Sequence, residues 1–265
     1  MKNLLYIFLL FTNYHLFYTQ KITILDSINK QPLPYCRIIN NNTEFYTDSL
    51  GCFTFKNFQK NTIIKKGGYY DKIINNFQHI IYLNPKTIEI NEINLNQKKE
   101  YLIKNKKKNN STIEVGNTFM TGKIITNPFN KDVLIKDLII PIHKNWGNKN
   151  DLLVINFHSI NKENGEIQKN PYKENEIIVK LSDIKSKNNV IRISDKKIIL
   201  PPNGILVSFK IVKEIGKENL LNENKTLTIY KSATNENLYI FDIKSNKWIL
   251  LKNAPAYAIS LNILQ

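Results

Sequence analysis

Four histidines, His15, His79, His143 and His158, are the side chains best suited to move protons or hold a metal near neutral pH. None stands in HxxE, HExxH or HxH spacing, so no local zinc motif exists. His158 falls opposite the more apolar face of its predicted strand, which places it at the solvent or an edge. Glu163, Glu166, Glu174 and Glu176 crowd one turn and strand start. Paired carboxylates cleave glycosides when held roughly 5–10 Å apart, but these sit among lysines in a solvated loop. Ser182-Asp183 and Ser194-Asp195 read as turn dipeptides, and no GxSxG elbow, P-loop or GxGxxG occurs. Asp151 and the Asn-rich loops could hold calcium, yet no DxDxDG loop is present. Trp146, in the loop His143 to Asn148, has amide neighbours and the chemistry to stack on a sugar ring. Tucking into the end of a sandwich is the other reading, and the one the context favours. Trp248, inside a strand, reads as core. The expectation is no catalytic residue, no metal and no cofactor, with Trp146 as the one weak binding candidate.

These side chains would be carried almost wholly by strands. Lys21 to Leu25 alternates with period two, and Tyr35 to Asn40 follows a turn-rich connection containing Pro32 and Pro34. In Thr47-Asp48-Ser49-Leu50-Gly51-Cys52-Phe53-Thr54-Phe55, Asp48 can accept a hydrogen bond from the backbone two residues on. Gly51 can take the positive φ that closes the turn. Phe53 and Phe55 then share one strand face. Further strands are expected at Thr62 to Lys66, Ile73-Ile74 and His79 to Leu83, giving a small β-sandwich. Residues 96–111 are polar and basic and read as a linker. Beyond Thr112, strands are expected at Val133 to Ile142, Asp151 to Ile160, Glu176 to Leu181, Asn189 to Ile193, Gly204 to Val212, Lys225 to Tyr230, Leu238 to Ile243 and Lys247 to Leu251. That pattern suggests a second, larger, jelly-roll-like sandwich. The fold class is therefore all-β.

The 265 residues carry 38 basic and 22 acidic side chains, a net charge of +16 that is almost entirely lysine. Codon bias of an AT-rich genome explains the abundance of Lys, Asn and Ile; a basic surface for anionic partners is the alternative. No patch of Arg forks and stacking aromatics points to nucleic acid. Lys2 followed by the apolar run Leu4 to Phe11 resembles a secretory signal, with residues 1–19 removed before Gln20. An uncleaved anchor is the alternative, and the only membrane contact expected. The two cysteines, Cys36 and Cys52, lack CxxC spacing. Export permits a disulfide, but two buried or half-buried thiols is the favoured reading.

Ile24-x-Asp26, Gln31 to Ile38 and Thr47-Asp48-x-x-Gly51-x-Phe53-x-Phe55, with Gly68-Tyr69, Tyr82-Leu83 and Glu92 to Leu95, resemble the carboxypeptidase regulatory-like domain. Cys36 departs mildly, since a small residue such as Ala is usual there. The resemblance covers residues 20–95 and implies a transthyretin-like sandwich without the zinc site of the enzymes that carry it. In Bacteroidetes such domains commonly stand at the front of exported or outer-membrane proteins. From Pro171-Tyr172 to Pro201-Pro202-Asn203-Gly204, residues 112–265 are similar to second domains of flavobacterial proteins, a likeness of organisation that implies no activity. The resulting expectation is an exported, non-catalytic protein of the periplasm or outer-membrane surface, serving as scaffold or binding module for an envelope protein or glycan. A carbohydrate-binding protein and a hydrolase with a loop-assembled site are the alternatives.

Overall fold

The computed structural model describes residues 20–41, 43–55, 57–86, 99–117, 119–145, 150–172, 176–212, 227–234 and 236–265. The expected signal, residues 1–19, lies outside them. Among the described residues the regular elements are strands and short 3-10 turns. The chain separates into two compact units, before and after Lys86.

In the first unit the strands are β1 (Gln20–Asp26), β2 (Arg37–Asn40), β3 (Thr43–Tyr46), β4 (Cys52–Phe55), β5 (Thr62–Lys65), β6 (Lys72–Ile74) and β7 (Ile80–Leu83). They form two sheets, ordered β4-β1-β7 and β3-β2-β5-β6. β1 runs parallel to β7 and antiparallel to β4. Alternation sends Ile22 and Ile24, Phe53 and Phe55, Ile81 and Leu83 inward from one sheet, and Ile38, Ile64 and Ile74 from the other. The predicted small sandwich is thus present.

The corner between β3 and β4 is held as its residue types demand. Asp48 Oδ1 accepts the backbone N–H groups of Leu50 and Cys52, each at 2.8 Å. Gly51 has φ +70°, and a Cβ there would lie 2.8 Å from Ile24 O and 2.9 Å from Leu33 O. Thr47, fully buried, accepts the Cys36 N–H on Oγ1 at 2.8 Å. Phe53 and Phe55 pack edge to face with centroids 4.7 Å apart. Both cysteines are free thiols, Cys36 buried and Cys52 half-buried.

The second unit contains β8 (Glu100–Ile103), β9 (Lys107–Val115), β10 (Thr121–Ile125), β11 (Val133–Asn145), β12 (Leu152–Ser159), β13 (Ile177–Lys180), β14 (Asn188–Arg192), β15 (Ile199–Leu200), β16 (Ile205–Val212), β17 (Leu227–Ser232), β18 (Asn237–Asp242), β19 (Lys247–Pro255) and β20 (Ser260–Leu264). Six of them form a sheet ordered β13-β12-β16-β10-β18-β19. The other sheet runs β8-β20-β11-β17-β9, with β14 and β15 also paired to β11. One apolar core lies between them, with Ile135, Leu138 and Ile140 from β11 and Leu153, Ile155 and Phe157 from β12. Pairing is antiparallel between strands far apart in sequence, such as β11 with β20 and β12 with β16. This is the larger two-sheet sandwich expected from the sequence.

The basic tract 96–111 is not simply a linker. Glu100–Ile103 pairs with β20 at the end of a sheet, and β9 begins at Lys107 and pairs with β17. End strands face water on one side, so their side chains keep the charged character of a solvated segment.

Candidate functional site

The six-stranded sheet turns one face to the core and carries a separate set of residues on the other. Phe157, Val207 and Lys123 form an inward row across β12, β16 and β10. The adjacent outward row is Asn156, Ser208, Gly122, Tyr239 and Leu250, running on through β18 and β19. His158 and Trp248 share that outer face. Their strands are separated by three others, a lateral span of about 19 Å if the sheet were flat. Their rings are nevertheless 5.0 Å apart, edge to face. The sheet therefore curls into a concavity whose rims meet at His158 and Trp248.

His158 corrects the sequence expectation, because it is completely buried rather than solvent-facing. The curl of the sheet and the chain segment after β12 cover it. Its Nδ1 lies 3.1 Å from the carbonyl of Gln168, which can only accept, so Nδ1 bears the proton. Nε2 is then the acceptor for the Ser208 hydroxyl at 2.9 Å. This is the hydrogen-bond order of a base and nucleophile, yet both side chains have 0% exposure, and Ser208 Oγ is closed to a substrate. Beside them, Asn156 is buried with Oδ1 unpartnered among the described residues, while its amide nitrogen lies 3.9 Å from Met120 Sδ. Trp248, expected in the core, is half-buried on this outer face, and its Nε1 is buried without a described partner. Phe241 packs against it at 5.4 Å.

The β18–β19 ribbon ends the sheet, and its apolar side chains are open. Ile249 is 43% exposed, Leu250 and Leu251 are each 36% exposed, and Ile243 in the connecting turn is 62% exposed. No strand pairs with the outer edge of β19 among the described residues.

A second polar cluster lies at the edge of the core. Lys123, on the inward face of β10 between buried Thr121 and Ile125, has a side chain only 2% exposed. It forms an ion pair with Glu236 Oε2. Asn105 Nδ2 donates to that same oxygen at 2.8 Å, and Ser232 Oγ stands 2.7 Å from Asn105 Oδ1. Burial pushes the Lys123 ammonium below its ordinary pKa, with the Glu236 hydrogen bond and charge opposing. For Glu236, burial pushes upward, but the hydrogen bonds from Lys123 and Asn105 prevail and hold the carboxyl below its usual range.

Of the residues singled out in the sequence, His15, Trp146 and Glu174 lie outside the described residues. Glu163 and Glu166 are exposed, as a solvated loop requires. No group of three or more His, Cys, Asp and Glu side chains suited to a metal occurs among the described residues. No helix among them is long and apolar enough to cross a membrane.

No family model matches the chain, and no curated protein matches it. Among solved structures, one described as "Structure of infectious bursal disease virus Gt strain" aligns over 92% of this chain and 58% of its own, at 9% identity and a TM-score of 0.29. A likeness of that size carries no argument about fold or function.

Proposed function

We propose that the chain is an exported, non-catalytic cell-envelope protein whose second unit docks another envelope protein through the β18–β19 ribbon. The single observation that carries this reading is the exposure of Ile243, Ile249, Leu250 and Leu251 on a terminal ribbon. An apolar sheet edge left open invites strand pairing or face burial by another chain. Export rests on Lys2 and the apolar run that follows it. The first unit, a sandwich with an Asp-and-Gly corner of the carboxypeptidase regulatory-like kind, serves in this reading as a rigid spacer or docking module. Placement in the periplasm or on the outer-membrane surface of a Bacteroidetes cell follows from the same resemblance. The test is co-fractionation of the full chain with envelope proteins, comparing wild type with Ile249→Lys/Leu251→Lys. The reading requires the double variant to fold and to lose its association; retained association would exclude the ribbon.

A second reading is glycan binding in the concavity of the six-stranded sheet. It is favoured by the half-exposed Trp248 ring with Phe241 packed against it at 5.4 Å, an aromatic surface at the rim on which a sugar ring can stack. Trp248→Ala abolishing polysaccharide pull-down would support it, and a negative survey of polysaccharides would remove it.

A further inference from the structure

Four chain segments meet at Lys123. Asn105 comes from the connection between β8 and β9, Lys123 from β10, Ser232 from the end of β17 and Glu236 from just before β18. β9 and β10 belong to opposite sheets of the sandwich. The Lys123 amine and the Asn105 carboxamide nitrogen are held against one oxygen, Glu236 Oε2. Ser232 Oγ stands 2.7 Å from the Asn105 carbonyl oxygen and 2.9 Å from Glu236 Oε2, within donating reach of both, and the Asn105 backbone N–H is fixed on Ser260 Oγ at 2.9 Å. The amine is therefore a desolvated nucleophile, the carboxamide is polarised where charge would develop, and a carboxylate touches both nitrogens that exchange protons.

We propose that Lys123 and Asn105 become joined by an intramolecular isopeptide bond, with Glu236 carrying the proton. Glu236 takes a proton from the Lys123 ammonium, and the freed Nζ attacks Asn105 Cγ. The developing oxyanion on Oδ1 is met by the Ser232 hydroxyl. Glu236 passes its proton to Nδ2, the Cγ–Nδ2 bond breaks, and ammonia departs, taking the second amine proton to leave as ammonium. One ammonium and one primary carboxamide become one secondary amide and one released ammonium ion, so atoms and charge balance without an oxidant or co-reactant.

Burial supplies the drive. An almost wholly desolvated ammonium is costly even when paired, and the reaction exports that charge to water. Glu236, half-buried at the surface, keeps its charge solvated. The product would tie the two sheets of the second unit covalently, independently of what that unit docks.

The test is the intact mass of the purified full chain under denaturing conditions, followed by peptide mapping. The expected result is a chain lighter by one ammonia, a branched tryptic peptide joining the Asn105 and Lys123 segments, and no cleavage after Lys123. Both signatures should vanish in Lys123→Met and in Glu236→Ala. Full mass with separate Asn105 and Lys123 peptides overturns the proposal, and the wild-type map alone decides this if a variant fails to fold. An ammonia loss that maps to another residue, such as a cyclised Gln20, with the Asn105 and Lys123 peptides still separate, also overturns it. A branched peptide that survives Glu236→Ala removes Glu236 from the reaction.

Discussion

Replacing Gly51 by Ala separates two costs that are usually confounded. Gly51 and Gly68 both have positive φ, +70° and +83°. Left-handed backbone with a Cβ costs about 1–2 kcal/mol, and Ala returns roughly 0.4–1 kcal/mol by restricting the unfolded chain. Those contributions are common to both sites. At Gly68 a Cβ meets nothing within 4 Å, whereas at Gly51 it comes within 2.9 Å of two backbone carbonyl oxygens. Backbone on β1 and on the Leu33 segment must shift, an overpacking cost of about 1–3 kcal/mol. Gly51→Ala should therefore destabilise the first unit by about 1–3 kcal/mol more than Gly68→Ala. For a unit of this size that is a large share of a total stability of roughly 3–10 kcal/mol. Urea unfolding of the full chain, with amide exchange read in β1 and β4, measures the difference. Equal effects at the two glycines would refute the claim that the corner is closed by backbone proximity.

Three further outcomes follow from the first unit. Thr47→Val leaves the buried Cys36 N–H without its acceptor and should cost about 1–3 kcal/mol, read in the same unfolding experiment. The Tyr69 hydroxyl and the Ile28 N–H hold the Asp26 carboxyl below its ordinary pKa of 3.8. Its stabilisation is thus complete above that value and is lost as pH falls through the lower folded one. Urea midpoints taken from about pH 6 down to about pH 2 should fall, and fall less in Tyr69→Phe; an identical pH dependence in the variant would contradict this. Burial pushes the Cys36 thiol up to about 12, so alkylation of the native protein should modify half-buried Cys52 first and Cys36 only on unfolding.

What could be read from the sequence was local. Asp48, Gly51, Phe53 and Phe55 announce their corner because turn chemistry and alternation act within eight residues. The strands with apolar runs, β11, β12 and β16, were legible for the same reason. The linker reading failed at β8 because Glu100, Tyr101 and Leu102 are exposed on a terminal strand, and nothing local distinguishes that from a solvated tract. His158 was misplaced because its burial depends on the curl that brings Trp248 across three strands. A signal did exist in β16, where Ile205-Leu206-Val207 is apolar without alternation, as a strand covered on both faces requires. A strand buried on both faces implies that its neighbour β12 is covered on both faces too. Lys123 was missed because Gly122 makes its short strand look like a turn, and its partners Asn105, Ser232 and Glu236 are distant in sequence.

The central claim, docking through the β18–β19 ribbon, is tested most directly by site-specific photo-crosslinking in the producing cell. A photoreactive residue at Leu250 should yield one discrete adduct with an envelope protein, and the same residue at exposed Lys185 should yield none. No adduct from Leu250, or the same adduct from both positions, would contradict the account.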